Sequence, residues 1–236
     1  MRPPNPITAS TPPVLSATSL VIGLALLVLA RFLPVLKIGS ISLVLGPMAL
    51  WTGLICVFQG MAMILYAKAG KFRHRDRVLA QINWTGNEAV LDVGTGRGLL
   101  LIGAARKLTT GKAMGIDIWS KADLSGNSME KTLSNVELEG VSSRVEIRSE
   151  DATAMKFPDG TFDVVLSNLC IHNIRSRQGR DHACGEIFRV LKPGGRAIIS
   201  DFKNTADYVK GFPVRPSQCL PRQPRFPAHF PPAARR

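Results

Sequence analysis

The stretch LDVGTGRG, Leu91 to Gly98, decides the fold of this chain, because it joins an apolar run to a helical pattern. The residues before Gly94 favour a β-strand, and those after Gly98 favour an α-helix. Three glycines at alternate positions let the backbone turn sharply and approach a ligand closely, since no Cβ atom intervenes. The helix that follows directs its free N–H groups at the turn, so we expect a carboxylate or phosphate group to bind there.

Short apolar runs and helical patterns alternate along the chain that follows. The predicted strands cover residues 89–93, 113–116, 145–147, 162–166 and 197–200. With helices between them, they predict a doubly wound, mostly parallel α/β sheet. Ligands bind such sheets beyond the carboxyl ends of the strands. Asp92, Asp117 and Asp151 lie where the first three strands end, so we expect them at one ligand site.

An acidic residue in the glycine stretch separates two classes of cofactor. The dinucleotide fingerprint is G-x-G-x-x-G, whereas this chain has Asp92 followed by G-x-G-x-G. A carboxylate at this point repels a pyrophosphate and suits a cofactor that carries an ammonium or sulfonium group. The whole pattern, D-x-G-x-G-x-G, resembles motif I of the class I (Rossmann-like) S-adenosylmethionine-dependent methyltransferases.

Four further segments resemble the same family in the same order. They are GIDIW at 115–119, EDA at 150–152, PDGTFDVVLSN at 158–168 and LKPGGRAIISD at 191–201. The resemblance covers residues 89–201 and implies S-adenosylmethionine as the cofactor. It also implies that Asp117 accepts hydrogen bonds from both ribose hydroxyls. Asp151 and the N–H group of Ala152 would bind the adenine.

The resemblance implies a complete set of cofactor-binding residues. Ile118 and Trp119 form walls of the adenine pocket in this interpretation, and packing within the sheet is the alternative for both. The predicted set is Asp92, Gly94, Thr95, Gly96, Gly98, Asp117, Ile118, Trp119, Asp151, Ala152 and Asn168.

The loop after the fourth strand, NLCIHN at 168–173, contains the candidate catalytic residues. Methyl transfer can depend mainly on alignment of the acceptor, and a general base is needed only if the acceptor loses a proton at the transition state. His172 is the candidate base or polar orienter, and Asn168 or Asn173 would position the acceptor. A hydrogen-bonded structural role is the alternative for His172. The four cysteines have no metal-ligand spacing, so we expect free thiols and no bound metal.

A long apolar region precedes this domain. Residues 14–30 and 38–67 contain no charged side chain, and a membrane-spanning helix needs about 20 apolar residues. Two transmembrane helices within 14–67 are therefore predicted; a single span, a cleaved signal peptide and a buried core hairpin are the alternatives. Five Lys and Arg residues follow in 68–77, which places the catalytic domain on the cytoplasmic side by the positive-inside rule.

The net charge of +13 would ordinarily suggest a nucleic acid partner. Much of it, however, flanks the apolar region or lies in the tail, so we expect anionic membrane lipid and no nucleic acid. The predicted divisions are a disordered lead-in (1–13), two transmembrane helices (14–67), a basic juxtamembrane linker or helix (68–86), a methyltransferase domain (87–210) and a disordered Pro/Arg-rich tail (211–236).

The tail carries seven prolines, five arginines and no acidic residue, a composition that cannot form strands. We therefore expect that the C-terminal edge strands of the family are missing and that the end of the domain is altered. The predicted function is methyl transfer to a small-molecule acceptor, such as a lipid or quinone, at the cytoplasmic face of a membrane. The alternatives are an NAD(P)-dependent Rossmann oxidoreductase and a non-catalytic membrane protein that retains the fold.

Overall fold

A computed structural model of the protein describes residues 13–33, 35–38, 41–120, 126–203, 205, 207 and 208. Residues 1–12 of the predicted lead-in and the whole predicted tail, 211–236, lie outside the described residues.

The N-terminal part of the chain is mainly helical. Its elements are α1 (Pro13–Leu29), β1 (Val35–Ile38), β2 (Ile41–Val44), α2 (Leu45–Leu65), a π-helical turn (Tyr66–Gly70) and α3 (Lys71–Leu79). The short strands β1 and β2 pair in antiparallel fashion, with Val35 opposite Val44. β1 lies mainly in the connector between the two predicted spans, and β2 takes up the first residues of the second span. The sequence predicted a helix for the residues of β2.

The α/β part follows directly. Its elements are β3 (Ala89–Val93), α4 (Leu99–Ala105), β4 (Lys112–Asp117), α5 (Met129–Leu138), β5 (Val145–Ser149), β6 (Phe162–Asn168), α6 (Arg177–Val190) and β7 (Leu191–Ser200). All five strands run parallel in the order β5-β4-β3-β6-β7. The chain builds outward from β3 to one side and then returns to the other, which creates a topological switch point beside β3. The predicted five-strand parallel sheet is confirmed.

The two faces of the sheet bury separate apolar cores. Side chains alternate between the faces along a strand, so Val90 packs with Leu101 on one face while Leu91 packs with Val165 and Ile187 on the other. All five side chains are buried. The sheet is thereby covered on both faces, as a parallel sheet requires.

The basic segment after the apolar region contributes to the first of these cores. Val78 and Leu79 of α3 are buried together with Leu101. A Cβ atom on Gly103 of α4 would lie 2.7 Å from Cδ1 of Leu79, so glycine at this position permits the close approach of the two helices. The apolar core of the domain therefore begins before residue 87, inside the segment that the sequence interpreted as a linker.

α1 and α2 pack against each other through glycines. A Cβ atom on Gly53 would lie 2.9 Å from the carbonyl oxygen of Gly23, and one on Gly60 would lie 2.7 Å from Cγ of Leu20. These pairs are those of an antiparallel arrangement. The outer faces remain apolar and exposed, with Phe58 at 74% and Trp51 at 66%.

By length and composition alone, one helix among the described residues could cross a membrane, namely the continuous helix Leu45–Leu79. α1 has 17 residues, and its apolar part Ser16–Leu29 does not reach the length of a span. The predicted pair of transmembrane helices is therefore not shown, and it stays a prediction.

Candidate active site

The glycine loop, residues 94–98, turns back on β4 through its own backbone. The N–H groups of Gly94 and Thr95 both donate to the carbonyl oxygen of Ile116, at 2.9 and 3.0 Å. Gly94 has φ +71°, and a Cβ atom there would lie 2.2 Å from Sγ of Cys170. No other residue type could occupy this position without displacing the loop after β6.

Asp92 lies beneath the glycine loop. It is 2% exposed, and its Oδ2 accepts hydrogen bonds from Oγ1 of Thr95 at 2.9 Å and from the N–H of Leu101 at 3.0 Å. Burial raises the pKa of Asp92 to about 7, although the hydrogen bonds from Thr95 and Leu101 oppose that shift. Asp92 therefore links the glycine loop to α4, because it accepts hydrogen bonds from a residue of each.

Asp117, at the end of β4, ties three segments together. Its Oδ2 accepts from the N–H of Gly96 at 2.8 Å, and its Oδ1 accepts from the N–H of Trp119 at 2.7 Å and from Nδ2 of Asn127 at 3.2 Å. A carboxylate has about four lone-pair positions, so the remaining capacity of Asp117 lies mainly on Oδ2. A hydroxyl that also used Oδ1 would have to share it with Asn127.

A cavity of about 490 Å³ lies at the carboxyl ends of the strands, beside the switch point. The predicted residues that line it are Gly94, Thr95, Gly96, Asp117, Ile118, Asp151, Ala152, Asn168 and Asn173. The predicted residues outside the lining are Asp92, Gly98, Trp119 and His172. Nine of the thirteen residues singled out from the sequence are thus brought together around one space.

The side of the cavity next to β4 and β5 has the groups predicted for an adenine. Ile118 is 64% exposed and lines the space, as does Asp151. Oδ1 of Asp151 accepts from the N–H and Oγ1 of Thr153, at 2.8 and 2.9 Å, which leaves Oδ2 for another donor. The indole of Trp119 instead donates to Oγ of Ser149 at 2.7 Å.

The opposite side of the cavity is reached by α3. Oδ1 of Asn168, at the end of β6, lies 3.0 Å from Nε2 of His74. The same Nε2 atom lies 3.0 Å from Oγ of Ser200, at the end of β7. A histidine of the basic segment 68–77 therefore contacts a cavity-lining residue directly.

His172, the candidate base, is not among the residues that line the cavity. Its Nδ1 lies 2.5 Å from Oδ1 of Asp201, and its N–H donates to Oδ2 of the same carboxylate at 3.0 Å. Its ring packs on Phe202 at 4.4 Å between centroids. The hydroxyl of Tyr208 also donates to Asp201, at 3.2 Å. This environment is consistent with the structural alternative for His172.

Comparison with protein families shows what the part of the chain that builds the cavity is similar to. A family model described as a methyltransferase domain matches residues 91–199, from β3 to β7. Residues 91–199 are therefore similar in sequence to a methyltransferase domain. S-adenosylmethionine is the cofactor that this domain implies, and the glycine loop and the size of the cavity fit it.

Two curated relatives of this part of the chain are named as methyltransferases. The chain is 33% identical over 131 residues to a demethylmenaquinone methyltransferase of Lactiplantibacillus plantarum, covering 55% of this chain and 52% of that protein. It is 32% identical over 130 residues to a ubiquinone/menaquinone biosynthesis C-methyltransferase of Geobacter sulfurreducens, covering 55% and 48%. The chain spans about half the length of these curated relatives.

A solved structure is also similar to the methyltransferase domain. The crystal structure of a putative methyltransferase from Bacillus halodurans matches with 26% identity and a TM-score of 0.47, covering 56% of this chain and 53% of that one.

Some residues around the cavity were not identified from the sequence. Arg97 lines it, and as the only cation inside the glycine motif it could have been noticed. Asn127 also lines the cavity. It precedes Ser128, whose side chain caps α5 by accepting from the N–H of Lys131. No local sequence pattern points to His74, because its partners lie far away in the chain.

Proposed function

We propose that this chain transfers a methyl group from S-adenosylmethionine to a lipophilic acceptor at a membrane surface. The observation that carries the proposal is the shared cavity of the glycine loop, Asp117 and Asp151 in a domain that matches the methyltransferase model. The glycine spacing and this match do not favour the NAD(P)-dependent oxidoreductase.

The lining residues suggest an orientation for the cofactor. Oδ2 of Asp117 suits a ribose hydroxyl, and Oδ2 of Asp151 suits the exocyclic amine of an adenine packed on Ile118. The guanidinium of Arg97 carries the charge needed opposite a carboxylate. With the nucleoside placed near β4 and β5, the reactive methyl group would point towards Asn168 and Asn173, which the sequence proposed for positioning the acceptor.

The chemistry asks little of the protein beyond alignment. An electron pair of the acceptor forms a bond to the methyl carbon while the carbon–sulfur bond breaks, and its electron pair remains on sulfur. An acceptor that starts protonated then releases its proton to water or to a base. Bringing the reacting atoms to roughly 3 Å in line supplies much of the rate enhancement.

The N-terminal helices support a membrane location. A helix of 35 residues is about 52 Å long, whereas the hydrocarbon core of a bilayer is about 30 Å thick. Its last residues therefore extend beyond the hydrocarbon, and they carry the basic side chains of 68–77. We propose that α1 and α2 insert as a hairpin with the domain on the cytoplasmic side.

The proposed location and the names of the relatives support one class of acceptor. The printed names of two relatives specify demethylmenaquinone and the biosynthesis of ubiquinone and menaquinone. A quinone precursor with an isoprenoid tail partitions into a bilayer, which is where the proposed hairpin places the domain. We therefore propose a lipophilic quinol as the acceptor.

Binding of the cofactor product tests the first part. The full chain in detergent is titrated calorimetrically with S-adenosylhomocysteine, and NADH serves as the control. We expect micromolar affinity for the former, about −8 kcal/mol, and no heat with NADH. Absence of binding by both would favour the non-catalytic alternative, and binding of NADH alone would favour the oxidoreductase.

Protease protection tests the hairpin. Trypsin added to the cytoplasmic side of oriented vesicles should cut the domain and spare Arg31 and Lys37 in the connector. In permeabilised vesicles, trypsin should cut both the domain and the connector. Cleavage of the connector from the cytoplasmic side of intact vesicles would overturn the topology.

Methyl transfer tests the acceptor. Methyl-labelled S-adenosylmethionine is supplied to the chain in vesicles that contain demethylmenaquinol, with a short-chain soluble analogue as the matched substrate. We expect label in the long-chain quinol with a higher kcat/KM than in the analogue. Equal values would show that the bilayer has no role in presenting the acceptor.

A further inference from the structure

His74, which lies outside the sheet, makes a hydrogen bond with the side chain of Asn168. Asn168 ends β6 and lines the cavity, whereas His74 belongs to α3, which continues the apolar helix α2 through a π-helical turn. His74 lies nine residues beyond Leu65, or about 14 Å along a helix. One end of the cavity is therefore connected to the helix that leaves the apolar region.

The hydrogen bonds at Nε2 of His74 are linked. Oδ1 of Asn168 only accepts, so Nε2 must carry the proton if the amide stands as the structure has it. Oγ of Ser200, at the same 3.0 Å, then shares this proton as a second acceptor. If Nε2 were instead unprotonated, Ser200 would donate to it and the amide of Asn168 would have to turn over.

The orientation of this amide decides what the cavity offers to an acceptor. With Oδ1 held by His74, the NH₂ group is the part of Asn168 left for a ligand, and it has no hydrogen-bond partner among the described residues. A turned amide would present an acceptor oxygen instead. The two orientations select opposite partners, since an NH₂ group pairs with an oxygen lone pair and a carbonyl oxygen pairs with a hydroxyl or ammonium.

We propose that His74 is a positioning residue that fixes the Asn168 amide with its NH₂ group towards the acceptor, so that the cavity selects acceptors with an anionic or carbonyl-like oxygen. This role rests on the proposed function, because it concerns the acceptor of the methyl transfer. The NH₂ group would stabilise the negative charge on a quinolate oxygen while a neighbouring ring carbon forms a bond to the methyl carbon. The carbon–sulfur bond would break with its electron pair left on sulfur, and the methylated ring carbon would then release its proton to water. Acceptors that offer only N–H or ammonium groups find no matching partner at Asn168.

Two substitutions of similar length separate the hydrogen-bond role from packing. His74→Gln retains an N–H donor for Oδ1 of Asn168, whereas the carboxylate of His74→Glu only accepts and turns the amide over. We expect kcat/KM for demethylmenaquinol in vesicles to stay within about threefold of wild type in the first variant and to fall at least tenfold in the second. Affinity for S-adenosylhomocysteine, measured by calorimetry, should stay within about twofold in both. Equal losses in both variants would overturn the proposal.

A spectroscopic measurement decides the point independently of turnover. The ¹⁵N shifts of the histidine ring in the full chain identify the tautomer of His74, whose signals are assigned by their loss in His74→Gln. We expect a protonated Nε2; an unprotonated Nε2 overturns the proposal. If the wild type binds S-adenosylhomocysteine but methylates no quinol, the proposed acceptor is wrong, and the ring signals still decide how His74 holds Asn168.

Discussion

The hydrogen bonds of Asp92 and Gly96 at the glycine-loop end of the cavity join residues at most 36 positions apart, whereas the contact of Asn168 with His74 at the opposite end joins residues 94 positions apart. Gly96 and Asp117 are 21 positions apart, and Asp92 bonds to Thr95 only three positions away. Asn168, by contrast, bonds to His74 at a separation of 94 positions. The first end can form as soon as β3 and β4 pair, but the second requires α3 to dock on the completed sheet.

The largest effect that can sharpen this comparison is expected at Asp92. Burial raises its pKa to about 7, so the folded state binds more protons than the unfolded state between about pH 4 and pH 7. The neutral carboxyl group of Asp92 contributes to the free energy of unfolding near pH 4, and this contribution is lost as the pH rises through 7. Three pKa units correspond to roughly 4 kcal/mol. Asp92→Asn should remove this loss, and it should be more stable than wild type at pH 8 but not at pH 4.

The measurement at Asp92 is urea unfolding of the full chain in detergent at several pH values. Glu137→Gln, on the exposed face of α5, is the control and should leave the pH dependence of wild type unchanged. An Asp92→Asn variant with the wild-type pH dependence would mean that another buried group holds the loop.

A substitution at Asp201 tests whether the contacts around His172 stabilise the fold. Its side chain is 1% exposed and accepts from the N–H of His172 and the hydroxyl of Tyr208. Burial and the charge of Asp201 raise the pKa of Tyr208, so this hydroxyl remains a donor at neutral pH. Asp201→Ala leaves both donors without their acceptor and should cost about 2 to 3 kcal/mol.

The free energy of unfolding of the full chain measures the cost of Asp201→Ala, and calorimetry with S-adenosylhomocysteine supplies the comparison. We expect the affinity for this ligand to change less than about twofold once the protein is folded. A large loss of affinity would show that the two ends of the cavity are not independent.

Asp117 provides the corresponding test at the glycine-loop end. Asp117→Ala removes a charged acceptor from a ribose hydroxyl and also releases Gly96, so affinity for S-adenosylhomocysteine should fall at least tenfold, or about 1.4 kcal/mol. Asn127→Ala is the matched variant, because it removes one of the two donors to Oδ1 of Asp117 and leaves the carboxylate in place. It should weaken binding less; an unchanged affinity in Asp117→Ala would remove the assignment of Asp117 to the ribose.

The same difference explains what could be predicted from the sequence. The glycine loop, β3 and Asp117 form a local pattern. Strand, turn and acidic residue follow one another within about 30 residues, so their residue types can be recognised in the sequence. Asp92 belongs to this pattern as well, yet its burial does not, since it depends on Leu101 folding back over it. Residue type alone could not distinguish a carboxylate beneath the loop from one facing the ligand.

The opposite end lacked such a signal. His172 is close to Asn168 in the sequence and was predicted to have a catalytic role. That role stays a prediction, and the contact of His172 with Asp201 could not be predicted from the sequence. His74 was read only as part of a basic segment. Its contact with Asn168 depends on how α3 docks, which the close packing at Gly103 allows and no periodicity records.

The smallest expected effect concerns the adenine side and separates two adjacent residues. Ile118 lines the cavity, so Ile118→Ala removes apolar surface that would cover an adenine and should weaken S-adenosylhomocysteine about fivefold, near 1 kcal/mol. Trp119 bonds to Ser149 instead, and Trp119→Phe should change the affinity less than about twofold. Calorimetry on the two variants under one condition makes the comparison. The reverse order of effects would mean that the indole leaves Ser149 when the cofactor binds, so that even the locally assembled end of the cavity rearranges around its ligand.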